Sequence, residues 1–440
     1  MSLTDRVTDV LPSVLTDLKR LIAIPSVSSL PDHHDHVLAA ADGVADLLRD
    51  LGCPDVRLLD AGGKPAVYGH FPAPYGAPTV LLYAHYDVQP TGDDAAWTSA
   101  PFSAMERDGR LYARGSADDK GGIGVHLAAL RAFDGRPPVG VKVFIEGEEE
   151  IGSPSMSGLL DQHAADLAAD VFVIADAVNW NVGEPSFTTT LRGMVDATVT
   201  VSTLRTGLHS GQFGGVVPDA LTALCRLLAT LHDERGNVAV AGLTSDPDPV
   251  VDYDEDRLRD ETGLLDGVQW IGDGPATARM WTRPAASVLA IDATPVQDAS
   301  NTLIPTARAK VSLRLAPGQD ADAAEAALRD HLLANAPWGA RVEVEAGQNG
   351  AGSVISLDDD RARAALDAFA EAFGVAPVEI GVGGSIPIVA EFADRNPGAL
   401  VLVTAVTDPT SHMHGVDESL DLGDFAKAAL AEALFLQRLA

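Results

Sequence analysis

The chain has 440 residues, and 31 Lys+Arg against 63 Asp+Glu leave a formal net charge of −32. That length accommodates two or three domains, and 46% apolar residues give each a core to bury. So much negative charge repels phosphate backbones and anionic lipid alike, which argues against nucleic acid and against a membrane surface as partners.

Apolar residues recur at helical spacing over residues 7–24 and again over 36–51. The first twenty residues carry Asp5, Asp9 and Asp17 and have no basic start or long apolar stretch. No secretory signal is read there, and a cytoplasmic location is expected. Residues 56–59, 66–71 and 79–83 read as strands, the last nearly all apolar and so buried on both faces. Helix 122–133, strand 141–145, helix 155–165 and strand 171–175 follow. This alternation predicts an α/β fold: a mostly parallel sheet flanked by helices.

The pattern changes after Arg192-Gly193. Residues 194–203 alternate apolar and polar, helix 219–233 follows, and an irregular acidic stretch runs to about Pro284. Strands 287–291 and 307–315, helix 321–334 and strand 341–345 complete a β-α-β-β-α-β order, which predicts a ferredoxin-like α+β layer. Residues 348–352 read as a linker, after which helix 360–373, a loop over 381–388, strand 399–403 and helix 422–439 resume the first style. The expectation is a catalytic domain of residues 1–191 and 349–440 with residues 192–348 inserted. Cys53 and Cys225 have no paired spacing, so stability must come from the core and a reducing compartment is allowed.

The ends of the apolar strands carry the chemistry. In an open parallel sheet, ligands gather outside the strands' C-terminal ends. Strand 79–83 runs into His85 and Asp87, and strand 141–145 into Glu146-Gly147-Glu148-Glu149-Glu150. Strand 171–175 ends at Asp176, and strand 399–403 leads to His412 and His414. Taken singly, a His-x-Asp pair or a run of glutamates is an ordinary surface feature; their convergence on one sheet edge is not. Crowded carboxylates repel unless a cation sits among them, and imidazole with carboxylate suits zinc or manganese. His85 and Asp87 share a face of an extended segment, so Asp87 is placed to accept the second ring N–H and orient the imidazole. Adjacent Glu149 and Glu150 cannot easily serve one metal; one binds while the other acts as general base. The tract His33-His34-Asp35-His36 lies outside this set and reads as surface. Residues 246–260 lack the glycine of a calcium loop, and the absence of Gly-x-Ser-x-Gly sets a serine hydrolase aside.

Three segments together resemble one family. His85-Tyr86-Asp87-Val88-Gln89-Pro90, Ala113-Arg114-Gly115-Ser116-Ala117-Asp118-Asp119-Lys120-Gly121 and Glu146-Gly147-Glu148-Glu149-Glu150-Ile151-Gly152-Ser153 resemble the co-catalytic di-zinc metallopeptidases. That family includes aminoacylases, glutamate carboxypeptidases, desuccinylases and dipeptidases. Residues 207–215 and Gly383-Gly384-Ser385-Ile386-Pro387 look most like its carnosinase-type dipeptidase branch. The resemblance implies two divalent ions per subunit, zinc with manganese or cobalt as alternatives. His85 and Asp176 would hold one, Glu150 and His414 the other, with His414 preferred over His412, and Asp118 would bridge them. It further implies a cis peptide at Asp118–Asp119, Glu149 as general base and Asp87 in support. The inserted domain becomes a lid that forms a homodimer, His209 reaching a partner's site to stabilise the oxyanion. Asn301, Thr302, Arg314, Gly384 and Ser385 fall at substrate-binding positions. The implied reaction is hydrolysis of dipeptides or short peptides. The alternative is an N-acyl amino acid deacylase with the same chemistry, and a non-catalytic metal-binding protein is a distant third. One departure stands out: Gly381 occupies the place where the dipeptidase branch carries Arg.

Overall fold

A computed structural model describes residues 1–384 and 387–440. It divides into two compact units: Met1–Thr189 with Ile355–Ile380 and Pro387–Ala440, and Thr190–Val354 with the segment beginning at Gly381.

In chain order the first unit opens with α1 (Leu3–Ile22), α2 (His34–Asp50), β1 (Asp55–Leu59), β2 (Ala66–Phe71), β3 (Thr79–His85), α3 (Lys120–Ala132), β4 (Gly140–Glu146), β5 (Val171–Val178) and β6 (Ser186–Leu191), whose last two residues belong to the second unit. The inserted unit holds β7 (Gly193–Ser202), α4 (Ala220–Leu228), β8 (Ala285–Asp292), β9 (Thr306–Leu315), α5 (Ala321–Ala334) and β10 (Arg341–Gly350). The first unit resumes with α6 (Asp360–Phe373), β11 (Val378–Val382), α7 (Pro387–Arg395), β12 (Leu400–Thr407) and α8 (Leu422–Arg438).

The large sheet runs β1-β2-β4-β3-β5-β12. Its centre, β4-β3-β5-β12, is parallel, and β1 and β2 extend it antiparallel. Both faces of the centre are covered, which is why these strands read as unbroken apolar runs. In β3, Val80, Leu82 and Ala84 join the core shared with α1, α2, α3, α6 and α8. Tyr83 points to the other face, its ring 6.3 Å from that of Phe392 on α7. Phe392 also stacks on Phe172 of β5 at 4.4 Å. Each such buried ring contributes about 1.5–3 kcal/mol. A three-stranded sheet of Met105–Arg107, Arg110–Tyr112 and Ser419–Asp421 brings residue 418 beside residue 113.

In the inserted unit the antiparallel sheet runs β8-β9-β7-β10, with α4 and α5 packed on one face. This is the ferredoxin-like order. The structure departs from the sequence reading in several places. β10 runs into the expected linker as far as Gly350, and of the expected 381–388 loop residues 381–382 close β11 and residues 387–388 open α7, residues 385 and 386 lying outside the described residues. The acidic stretch contains helices Glu255–Thr262 and Ala276–Trp281. Helix 155–165 breaks at His163 into Met156–Gln162 and Ala164–Leu167. β3 and β5 also extend past their apolar runs, so that His85 and Asp176 are strand residues.

Candidate metal centre

His85 closes β3 and is fully buried. Its Nδ1 lies 3.0 Å from the Asp87 carbonyl and 3.4 Å from the Asp87 carboxylate. The backbone oxygen is therefore the nearer orienting partner, where the sequence pointed to the side chain. The Asp87 carboxylate also accepts the backbone N–H groups of Glu149 and Glu150 at 3.2 and 3.1 Å. It fixes the turn that presents both glutamates.

The Nε2 of His85 faces three carboxylates: Asp118 at 3.1 Å, Asp176 at 3.9 Å and Glu149 at 4.0 Å. Asp118 reaches the other way as well, its Oδ2 3.0 Å from His414 Nε2, and Glu150 Oε2 lies 3.3 Å from the same nitrogen. The peptide Asp118–Asp119 is cis. Asp119 turns from the cluster, accepting from the backbone N–H groups of His85 and Gly122 at 3.2 Å each and capping α3. His85, Asp118 and Asp176 form one group able to hold a metal, and Asp118, Glu150 and His414 a second, with donor atoms in each within 4.8 Å. His412 belongs to neither. Gln89, which the sequence reading passed over, donates to Glu150 at 2.8 Å; its place two residues after Asp87 was the available signal.

Electrostatics test whether a cation fits. Among the described residues no Lys or Arg pairs with Asp118, Glu149, Glu150 or Asp176; the only counter-charges are the two imidazoles. Burial would lower the His85 pKa, but its hydrogen bonds to the Asp118 and Asp87 carboxylates and the charge of Asp176 hold it well above its ordinary value. Hydrogen bonds to Asp118 and Glu150 push His414 up to about 10. Burial, reinforced by Asp119, Asp118 and Glu149, raises Asp176 well above the carboxylate range. Burial, with Glu150, Asp118 and Asp87 as like-charged neighbours, lifts Glu149 to about 6. Protons are thus favoured on His85, His414 and Asp176, whereas Asp118 is held below the usual carboxylate range by the two imidazoles it faces, and the oxygen and imidazole donors suit zinc or manganese.

The other candidates lie in the inserted unit. His209 and Thr302 face each other in a two-residue ladder, and Ser210 N–H donates to the Asn301 carbonyl at 2.9 Å. His209, Asn301 and Thr302 are exposed. His209 Nδ1 accepts Gly211 N–H at 3.0 Å, which leaves Nε2 as the outward donor. Arg314 is half-buried on β9. Arg192, missed from sequence, is buried and donates to the carbonyls of Gly383, Arg279 and Arg283. No described residue stands within 4 Å of a Cβ built on Gly384, and Ser385 lies outside the described residues. A Cβ at Gly381 would come within 2.5 Å of both Thr190 Oγ1 and Trp281 Cβ. Trp281 Cγ stands at 2.7 Å, so the indole crowds the space that a side chain at 381 would enter.

Residues 81–438 match the family described as Peptidase family M20/M25/M40. The chain is 37% identical over 438 residues to a cysteinylglycine-S-conjugate dipeptidase of Corynebacterium striatum, covering 96% of this chain and 94% of that one. Among solved structures it resembles the dipeptidase Dug1p of Saccharomyces cerevisiae, with a TM-score of 0.82, 25% identity, and 99% and 98% of the two chains covered. Human carnosine dipeptidase 1 shares the fold, with a TM-score of 0.81 at 24% identity and 99% and 98% covered. The chain belongs to the M20 peptidases, and it is a peptide-bond hydrolase of their dipeptidase branch.

Proposed function

We propose that this M20 peptidase is a metallodipeptidase whose centre takes two divalent cations, zinc first among the candidates. His85, Asp118 and Asp176 would hold one, and Asp118, Glu150 and His414 the other. One observation carries the reading: two donor groups share Asp118, with the Glu149 carboxylate 4.0 Å from His85. When bound, the cations supply Lewis-acid polarisation of the scissile carbonyl and a water more acidic than bulk water.

The chain's own groups do the rest. Glu149 takes the proton of the attacking water and passes it to the leaving amine. Asp87 keeps Glu149 in place through its backbone N–H. The half-buried guanidinium of Arg314 is suited to a substrate carboxylate, with Asn301, Thr302, Gly384 and Ser385 completing the substrate contacts. The inserted domain would form a homodimer in which the outward Nε2–H of His209 of the partner subunit stabilises the oxyanion. A cytoplasmic setting is part of this reading; among the described residues no helix is long and apolar enough to cross a membrane.

The test is a metal-dependent screen of purified protein on cysteinylglycine and its S-conjugates, β-Ala-His, other dipeptides, and N-acetyl and N-succinyl amino acids. Preferential dipeptide hydrolysis supports the reading, whereas preference for the acylated amino acids would replace it with the deacylase. Mixing inactive Glu149→Gln and His209→Ala chains should restore part of the activity if sites are completed across a dimer; absence of rescue overturns that arrangement.

A further inference from the structure

Behind Asp118 and His414 lies an ion pair that contributes no donor to the centre. Arg114 and Glu418 are 1% and 0% exposed, and Arg114 Nη1 donates to Glu418 Oε2 at 2.6 Å. The same oxygen accepts Gly115 N–H at 3.1 Å, and Oε1 accepts the N–H groups of Ala117 and Asp118 at 2.9 and 3.0 Å. One carboxylate thus takes four donors from the segment that ends in Asp118. Arg114 Nη2 reaches onward to the carbonyls of Pro90 and Gly415 at 3.1 and 3.2 Å. The pair therefore joins the segment after His85, the segment before Asp118 and the loop bearing His414.

That third loop needs such a tie. His412, His414 and Asp417 have φ of 52°, 60° and 57°, in the left-handed region that costs non-glycine residues roughly 1–3 kcal/mol each. Strain of this kind persists only where the surroundings over-determine it. Asp118 has anchors that do not depend on Glu418, through its contact with His85 and the cap that Asp119 places on α3. His414 is held by its own loop, and that loop by Arg114, Glu418 and the bond of Asp417 to Thr98.

We propose that Arg114 and Glu418 are positioning residues that set the cation affinity of the Asp118, Glu150 and His414 group selectively. The proposal rests on the two-cation reading above. Glu418→Gln replaces one acceptor oxygen by an NH2 group, which meets a donor whichever way the amide turns. Apo full-length protein is titrated with Zn²⁺ against a chromophoric chelator. Wild type should take up two equivalents; in Glu418→Gln one equivalent should stay within about threefold while the other weakens about 10–100-fold, the usual effect of a group supporting a ligand. Equal weakening of both, or of neither, overturns the proposal while leaving the two-cation reading intact. A wild type that binds a single equivalent overturns that reading and the proposal with it. Should Glu418→Gln fail to fold by circular dichroism, Arg114→Lys decides in the same assay. Lys keeps the charge but cannot span Pro90, Gly415 and Glu418 together, so the same one-sided weakening is expected.

Discussion

The two halves of the donor set are built by different means. His85 sits at the end of a central strand, fully buried, with α3 and α8 behind it. The His414 side chain is 57% exposed and rides on a loop with three left-handed residues. One half inherits its geometry from the sheet, where moving the ligand means breaking a ladder. The other is held by side chains bonded to backbone. A donor set can therefore share one carboxylate, Asp118, and still be stiff on one side and adjustable on the other.

The largest expected effect separates chemistry from binding. Glu149→Gln should lower turnover on the order of 10³-fold while both cation equivalents remain, as read by metal analysis after dialysis. Loss of an equivalent would move Glu149 into the donor set. Next, His414→Ala and His85→Ala should each weaken one equivalent, but His414→Ala should lower the melting temperature of the apo protein less than His85→Ala, which leaves fully buried carboxylates facing one another. Identical behaviour of the two variants would erase the contrast between the halves. In wild type, a chelator should remove one equivalent well before the other, followed by stopped-flow absorbance; synchronous release would mean that the exposed side is no looser.

The smallest effect tests the backing of the buried half. His126 on α3 lies 3.1 Å from the Tyr83 carbonyl on β3 and 2.8 Å from the Glu432 carboxylate on α8. Burial pulls its pKa down, but the charge and hydrogen bond of Glu432 outweigh this and the net shift is upward. A raised folded-state pKa stabilises fully below the unfolded value near 6.5 and fades as pH rises through the folded value. The melting-temperature gap between wild type and His126→Gln should thus be widest near pH 6, on the order of 2 °C or more, and narrow toward pH 9. A gap that is flat or widens with pH would show that His126 acts through packing alone.

Much of this was legible in the residue order. Apolar runs ending in His or acid located β3, β4, β5 and β12 because a strand buried on both faces has no polar residue to spare. The ferredoxin-like layer followed from alternation in residues 194–203 and 307–315. What escaped were elements without a periodic signature: β11, whose five residues include Gly381, and α7, which follows a Gly-rich stretch that reads as loop. The Asp87 carboxylate was assigned to His85 from two-residue spacing; it lies 3.4 Å from His85 Nδ1, with the backbone carbonyl nearer at 3.0 Å, and it also holds the N–H groups of Glu149 and Glu150. Glu418 lies 300 residues from the N–H of Asp118 that it holds, a partnership no local spacing encodes.

Gly381 constrains how this protein could change. Because Thr190 and Trp281 already occupy the space a side chain would need, an arginine introduced there alone collides before it can reach any ligand. Shrinking the indole alone does not open that place, because Trp281 Cβ, which any side chain at 281 keeps, itself lies 2.5 Å from the built Cβ. Recruitment of a new cation at position 381 is thus a matter of backbone placement as much as of chemistry: the segments bearing Thr190 and Trp281 have to draw back before Gly381 can be replaced.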